Sequence, residues 1–274
     1  MSRSPTLQLQ APPVQSRGWS KQRIVGYAFM ALWAAAAIGI VIYLVAAWDP
    51  ALYERYAPAY LSGLIVTLKL VAFSIALGAV LSAPLAYARM STNRWLAWPA
   101  YAYVYFFRGT PLLAQAFLIY YGFGQFRPQL EAIGLWSLFR EAWYCALLAF
   151  TLNTAAYQAE ILRGAVQSVA RGQWEGAASL GLTRLQTFRK IILPQALIVA
   201  LRPYGNEIIL MIKASAIVAI ITVYDLMGET RRAYSRTFDF QTYIWAALIY
   251  LVIVEALRNI VDLIERRITR HLKR

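Results

Sequence analysis

Long apolar runs alternate along this chain with short polar stretches that are mostly basic. Residues 1–23 are polar, carry Pro5, Pro12 and Pro13, and show no periodic apolar pattern, which predicts a basic cytosolic tail. Arg17, Lys21 and Arg23 then precede an apolar run over 24–47. About 20 apolar residues cross a hydrocarbon core, whereas a signal-peptide core has only roughly 7–15, so this run predicts a first transmembrane helix with its N-terminus inside. An outer loop with interfacial aromatics follows over 48–60, then a second span over 61–88. Pro84 should kink or loosen the inner end of that span, and Lys69 within it either snorkels or faces the bundle interior. A third span is predicted over 95–123, a fourth over 144–166, a fifth segment over 191–223 and a last span over 243–264. Residues 127–143 and 224–240 are read as outer segments, and 164–190 as a long cytosolic loop.

Composition agrees with a polytopic membrane protein, since 60% of residues are hydrophobic and only 15% charged, against about a quarter charged in soluble domains. A net charge of +14 would suggest nucleic acid in a soluble chain. Here most of the 27 Lys and Arg lie at the two ends, in the turn holding Arg89 and Arg94, and in the long loop. Cytosolic flanks of membrane helices collect such residues, so both termini are placed inside and no nucleic-acid partner is expected. The single Cys145 sits in an apolar run, and the single His271 in the basic tail 267–274. A disulfide framework, a metal cluster or a catalytic His is therefore not expected. The chain also has no G-x-x-x-x-G-K-[ST] loop with which to hold ATP. The predicted fold class is all-α, with about six spans.

Charged and polar residues inside apolar segments are the candidate chemistry. Arg108 sits mid-span next to Gly109, Thr110 and Pro111, and a charge at that depth costs about 2.5–3.5 kcal/mol on insertion scales. A structural, buried, paired Arg108 at a local helix break is expected, with a carboxylate or freed carbonyls as partner. Asn153, Tyr157 and Glu160 recur at helical spacing on one face of the fourth span. Such a face meets protein or a water-filled cavity, so these three serve either a pathway or helix pairing, Glu160 also by an ion pair with Arg108 or Arg163. The fifth segment is interrupted by Arg202, Pro203 and Gly205, which predicts an amphipathic lead-in helix, a break, and then a span. Asn206 and Glu207, with Lys213 and Ser215 following, could serve a gate or substrate, or could satisfy the broken backbone and pair with Arg202.

The loop stretch EGAASLGLTRLQTFRKIILPQ, residues 175–195, predicts a short helix ended by Gly181 in the left-handed conformation. It resembles the loop of ABC importer permeases with the pattern E-A-A, three residues, G, nine residues, I-x-L-P, with Gly176 in place of the first Ala. The stretches FRGTPLLAQAFLIYYGFG, NTAAYQAEI and RPYGNEIILMIKASA resemble segments of polar amino acid permeases, with Ala214 where many relatives carry Asp. Over residues 60–266 the chain looks most like M-type subunits of histidine/lysine/arginine and octopine/nopaline systems.

That resemblance implies a type I ABC importer fold, a five-helix core plus the extra N-terminal helix 24–47. It implies a coupling loop at 167–190, with a coupling helix over 174–183 whose candidate residues are Trp174, Glu175, Ala177, Ala178, Gly181 and Leu182. It implies partners: two copies of a cytosolic ATPase that bind ATP and Mg, a second permease subunit (a Q-type chain or a second copy), and a periplasmic binding protein. The expected cargo is a polar, basic amino acid or an opine, moved across a bacterial inner membrane by alternating access, with membrane lipid around the subunit. No cofactor or catalytic residue is expected in this chain itself. An ion-coupled secondary transporter, which would need no ATPase, is the alternative.

Overall fold

The computed structural model describes residues 20–272, which form helices joined by short turns, with no strand among them. The predicted tail 1–23 and the end of the tail 267–274 lie largely outside the described residues, as does the side chain of His271. The chain divides into two units, residues 1–50 and 51–274. The first contains α1, Lys21–Ala46, capped by the Ser20 hydroxyl, which accepts from the Arg23 amide. α1 is apolar around its whole circumference and has no buried residue.

The second unit begins within α2, Pro50–Met90. At 1.5 Å per residue its 41 residues extend about 60 Å, twice a hydrocarbon core. One expectation is corrected here. Residues 50–60 are helix, not an outer loop, because Pro50 opens the helix at the position where its missing N–H costs nothing. The helix also runs through Pro58 and Pro84 without interruption. The buried positions Gly63, Thr67, Leu70, Val71, Ser74, Gly78 and Ser82 repeat at three and four residues and form one packing stripe. A side chain at Gly78 would come within 2.5 Å of Thr154 Cγ2, so only glycine allows this approach.

The third predicted span is divided. α3, Arg94–Gly109, ends with Thr110 extended, and α4, Leu112–Phe117, starts after Pro111 and runs into a π-helical turn, Leu118–Gly122. Two short helices, α5 (Arg127–Ala132) and α6 (Trp136–Phe139), occupy the predicted outer segment. α7, Ala142–Ser168, is the centre of the bundle and packs on α3, α4 and α10. Its Phe150 shares the main core with Leu70 of α2 and Ile212 of α10, all three buried.

After α7 come α8 (Arg171–Ser179), α9 (Arg184–Thr187), a π-helical turn (Phe188–Ile192) and α10 (Leu193–Ser215). The predicted break at Pro203 is absent: α10 is continuous, and its regular geometry changes only after Ser215, in the 3₁₀ turn Ala216–Ile221. α11, Leu226–Thr237, and α12, Gln241–Ile268, complete the bundle, with α12 packed on α10 and α11. Among the described residues, four helical runs are long and apolar enough to cross a membrane, namely α1, α2, the run Arg184–Ile221 and α12. The divided α3–α4 segment and the polar-faced α7 are not among those four.

Candidate functional site

The break between α3 and α4 frees carbonyls inside the bundle, and two amides collect them. Gln115 Nε2 donates to the Phe107 carbonyl at 2.9 Å and to the Thr110 carbonyl at 3.1 Å. Asn153 Nδ2 donates to the same Phe107 carbonyl at 2.9 Å and to Gln115 Oε1 at 3.0 Å. The freed carbonyls therefore do not receive Arg108, as sequence reasoning allowed.

Arg108 turns instead toward Glu160, one turn-pair further along α7 than Asn153. Glu160 gathers three guanidinium groups from three helices: Arg163 at 2.7 Å, Arg89 at 3.0 Å and Arg108 at 3.8 Å. Arg89 also lies 4.9 Å over the Tyr101 ring, and Arg108 lies 5.2 Å over Tyr157. The expectation of a buried Arg108 is corrected: its side chain is 44% exposed, because the last turn of α3 faces open space. That space is two cavities. One, of about 380 Å³, is bounded by Tyr101, Tyr105 and Gly109 of α3, and the other, of about 440 Å³, by Arg163, Val199 and Pro203. Arg108, Tyr157 and Glu160 line both.

The fifth-segment candidates do not converge on this place. Asn206 and Lys213 are exposed, and Ser215 is buried with its hydroxyl donating to the Ile212 carbonyl at 2.8 Å. Glu207 is only 5% exposed and accepts from the Thr154 hydroxyl at 2.8 Å. Arg202 pairs with Glu265 of α12 at 3.1 Å, not with Asn206 or Glu207, because α10 is unbroken and turns Arg202 toward α12. Lys69 is exposed rather than interior. Among the described residues, no group of three or more His, Cys, Asp or Glu could hold a metal.

α8 is a different kind of surface. Of its residues only Ala177 is buried, at 2% exposure, while Trp174, Glu175 and Ala178 are exposed. Gly181 has φ +71°, and the chain closes there by Leu182 N–H to the Ala177 carbonyl and Gly181 N–H to the Ala178 carbonyl. This is the paired closure that needs a left-handed residue just past a helix. The helix covers Arg171–Ser179 rather than 174–183, and Leu182 belongs to the turn after it. Thr183 then opens α9 with a reciprocal cap, its hydroxyl accepting from the Gln186 amide while Gln186 Oε1 accepts from its own. Leu180 and Leu185, 78% and 59% exposed, flank this rigid corner.

Sequence reasoning missed Arg89, Gln115 and Thr154 as site residues. Arg89 had been read only as a marker of the inner side, and Gln115 only as a letter in a matching segment. It also missed Asp225, which caps α11 by accepting from the Gly228 amide at 2.8 Å and is wholly buried. Its signal was a carboxylate three residues before a helical amide, in a stretch read as irregular. Thr67 of α2 accepts from the Leu226 amide at 3.1 Å and donates to Asp225 at 3.4 Å. Burial pushes the Asp225 carboxyl up to about 6, against the lowering effect of these hydrogen bonds.

A central helix with a buried polar face, a broken neighbour beside it and an exposed, rigidly ended helix on the following loop thus stand together in the second unit. Residues 74–270 match the family described as binding-protein-dependent transport system inner membrane component. The chain belongs to this family. The permease is 44% identical over 217 residues to a nopaline transport system permease protein of Agrobacterium fabrum, covering 79% of this chain and 90% of that one. It is 38% identical over 218 residues to an arginine ABC transporter permease protein of Haemophilus influenzae, covering 79% and 95%. Its fold is similar to a solved structure of an amino acid ABC transporter with histidines, with TM-score 0.72, 37% identity, and 80% and 99% of the two chains covered. The permease is thus a multi-pass inner-membrane subunit that works with a separate ATPase.

Proposed function

We propose that this permease carries a polar, basic amino acid or an opine inward, with ATP hydrolysed by two copies of a cytosolic ATPase that hold ATP and Mg. A periplasmic binding protein delivers the cargo, and a second permease subunit completes the pathway. Both termini lie on the cytosolic side, as the basic flanks of the spans suggest. The observation that carries this reading is the corner at Gly181, which holds an almost fully exposed α8 in fixed geometry on the loop after α7. α8 packs beside the π-helical turn that leads into α10, and Gln195 of α10 donates to Gln173 of α8 at 3.3 Å. ATPase closure pushing on Trp174, Glu175, Ala178 and Leu182 would therefore move α10 and α7 together, since these two pack along their length. The likeness to nopaline and arginine permeases supports the substrate class.

The test is uptake of radiolabelled L-arginine, octopine and nopaline into proteoliposomes containing the complete complex with ATP inside or outside. Uptake of at least one, only with ATP on the ATPase side, is expected. Uptake driven by a proton or sodium gradient without ATP would contradict the reading.

A further inference from the structure

Three carboxylates of the long helices, Glu160, Glu207 and Glu255, are already engaged. Glu160 holds three guanidinium groups. Glu207 is occupied by Thr154 and lines neither cavity. Glu255 faces Arg258 at 3.8 Å. A cationic side chain in the shared space would meet three guanidinium groups against one carboxylate, a local charge of +2 by 3 − 1. Like charges repel, so this surplus disfavours a cation there. The same surplus attracts an anion.

The three arginines are not equally committed. Arg163 holds Glu160 at 2.7 Å and Arg89 at 3.0 Å, with side chains 28% and 17% exposed. Arg108 stands back at 3.8 Å and is 44% exposed. Its guanidinium is nevertheless kept in place over the Tyr157 face at 5.2 Å. It presents a planar donor fork, which suits a carboxylate with two parallel hydrogen bonds. Resting on the importer reading above, we infer that Arg108 is the carboxylate-binding residue of the pathway. The carboxylate of the transported molecule docks on Arg108 beside Tyr157, in the space bounded by the two cavities. Glu160 is then a positioning residue that fixes the arginines, and it does not receive a cationic side chain.

The experiment is equilibrium binding to the purified permease–ATPase complex without binding protein, using radiolabelled L-arginine, octopine and nopaline. Agmatine, which lacks the carboxylate of arginine, is the competitor. The wild-type complex should bind at least one acid saturably and prefer it to agmatine at least tenfold. Arg108→Gln should weaken the acid about tenfold or more and leave agmatine unchanged, erasing the preference, while Arg108→Lys keeps part of it. If Arg108→Gln does not assemble, Tyr157→Leu, which frees the guanidinium, should reduce the same ratio. No saturable binding to wild type, an unchanged preference in the variants, or equal weakening of acid and agmatine would overturn the inference. ATP-driven uptake by wild type with an unchanged preference in Arg108→Gln sinks this inference alone. A collapsed preference without ATP-driven uptake sinks only the importer reading.

Discussion

Asn153 of α7 donates its amide to the Gln115 side chain of α4 at 3.0 Å, and both amides also reach the Phe107 carbonyl at the end of α3. A helix break inside a bilayer is tolerated only where its backbone groups find protein partners. Gln115 is 2% exposed, so its loss leaves buried carbonyls unmet. Gln115→Ala should cost about 1–3 kcal/mol, read as a lowered Tm of the detergent-purified complex. Gln115→Glu, which loses the donating amide, should be no better. An unchanged Tm in both variants would mean that water serves the break instead.

Gly181 adopts φ +71° with open space around it, so a substitution there strains the backbone without a clash. An ordinary L-residue in the left-handed conformation costs roughly 1–2 kcal/mol. Gly181→Asp should insert normally and assemble with the ATPase, yet lose most ATP-driven uptake. Gly181→Asn should retain more, because Asn tolerates this conformation better. Normal uptake and normal substrate-stimulated ATP hydrolysis in Gly181→Asp would remove the mechanical role of this corner.

Gly78 meets Thr154 and Gln158 across the α2–α7 contact. Overpacking of a tight core contact costs about 1–3 kcal/mol, and Gly78→Val should lower Tm or reduce the yield of assembled complex accordingly. Gly26, with nothing within 4 Å, provides the contrasting site: Gly26→Ala should leave both unchanged.

Asp225 makes stability depend on pH. Its folded carboxyl is pushed up to about 6 by burial, above an unfolded value near 3.9. The folded state therefore binds more protons than the unfolded state between these values. Stability falls as pH rises from about 4 to 6 and levels off above, by an amount on the order of 3 kcal/mol for about two pKa units. Asp225→Asn keeps an acceptor for the Gly228 amide and removes the charge. Its Tm should lose this slope, and at pH 7 it should equal or exceed wild type. A wild-type Tm that rises between pH 4 and 6, or an equal slope in both proteins, would contradict the assignment.

The spans were legible where they are long and apolar, as in α2 and α12, because the hydropathy of a window is a sum over local residues. The corner at Gly181 was legible for a similar reason, since left-handed backbone selects glycine within a few residues. Prolines were a mixed guide. Pro111 does mark a break, with Gly109 and Thr110 beside it and two amides to collect the freed carbonyls. Pro203 does not, because α10 is held on both sides of it by packing that is distant in sequence. The Glu160 cluster was half legible. The i,i+3 pair with Arg163 could be read from spacing, but Arg89 lies 71 residues away and only the folding of α2 along α7 brings it there. Arg108 was expected to be buried because it sits mid-span, and the structure turns it into open space. Asp225 was hidden because it lies in a polar stretch where one more carboxylate attracts no notice.

The central claim is that α8 is the contact through which the ATPase drives the pathway. The most direct measurement is site-directed crosslinking at Leu180, which is 78% exposed at the end of α8. The chain has one cysteine, Cys145, so a Cys145→Ala background removes its own thiol. In that background, Leu180→Cys should crosslink to the co-purified ATPase with a short bifunctional reagent, and the yield should change when ATP is added. An ATPase that co-purifies with the permease yet never crosslinks at Leu180, while crosslinking from a different loop of this chain, would contradict the account.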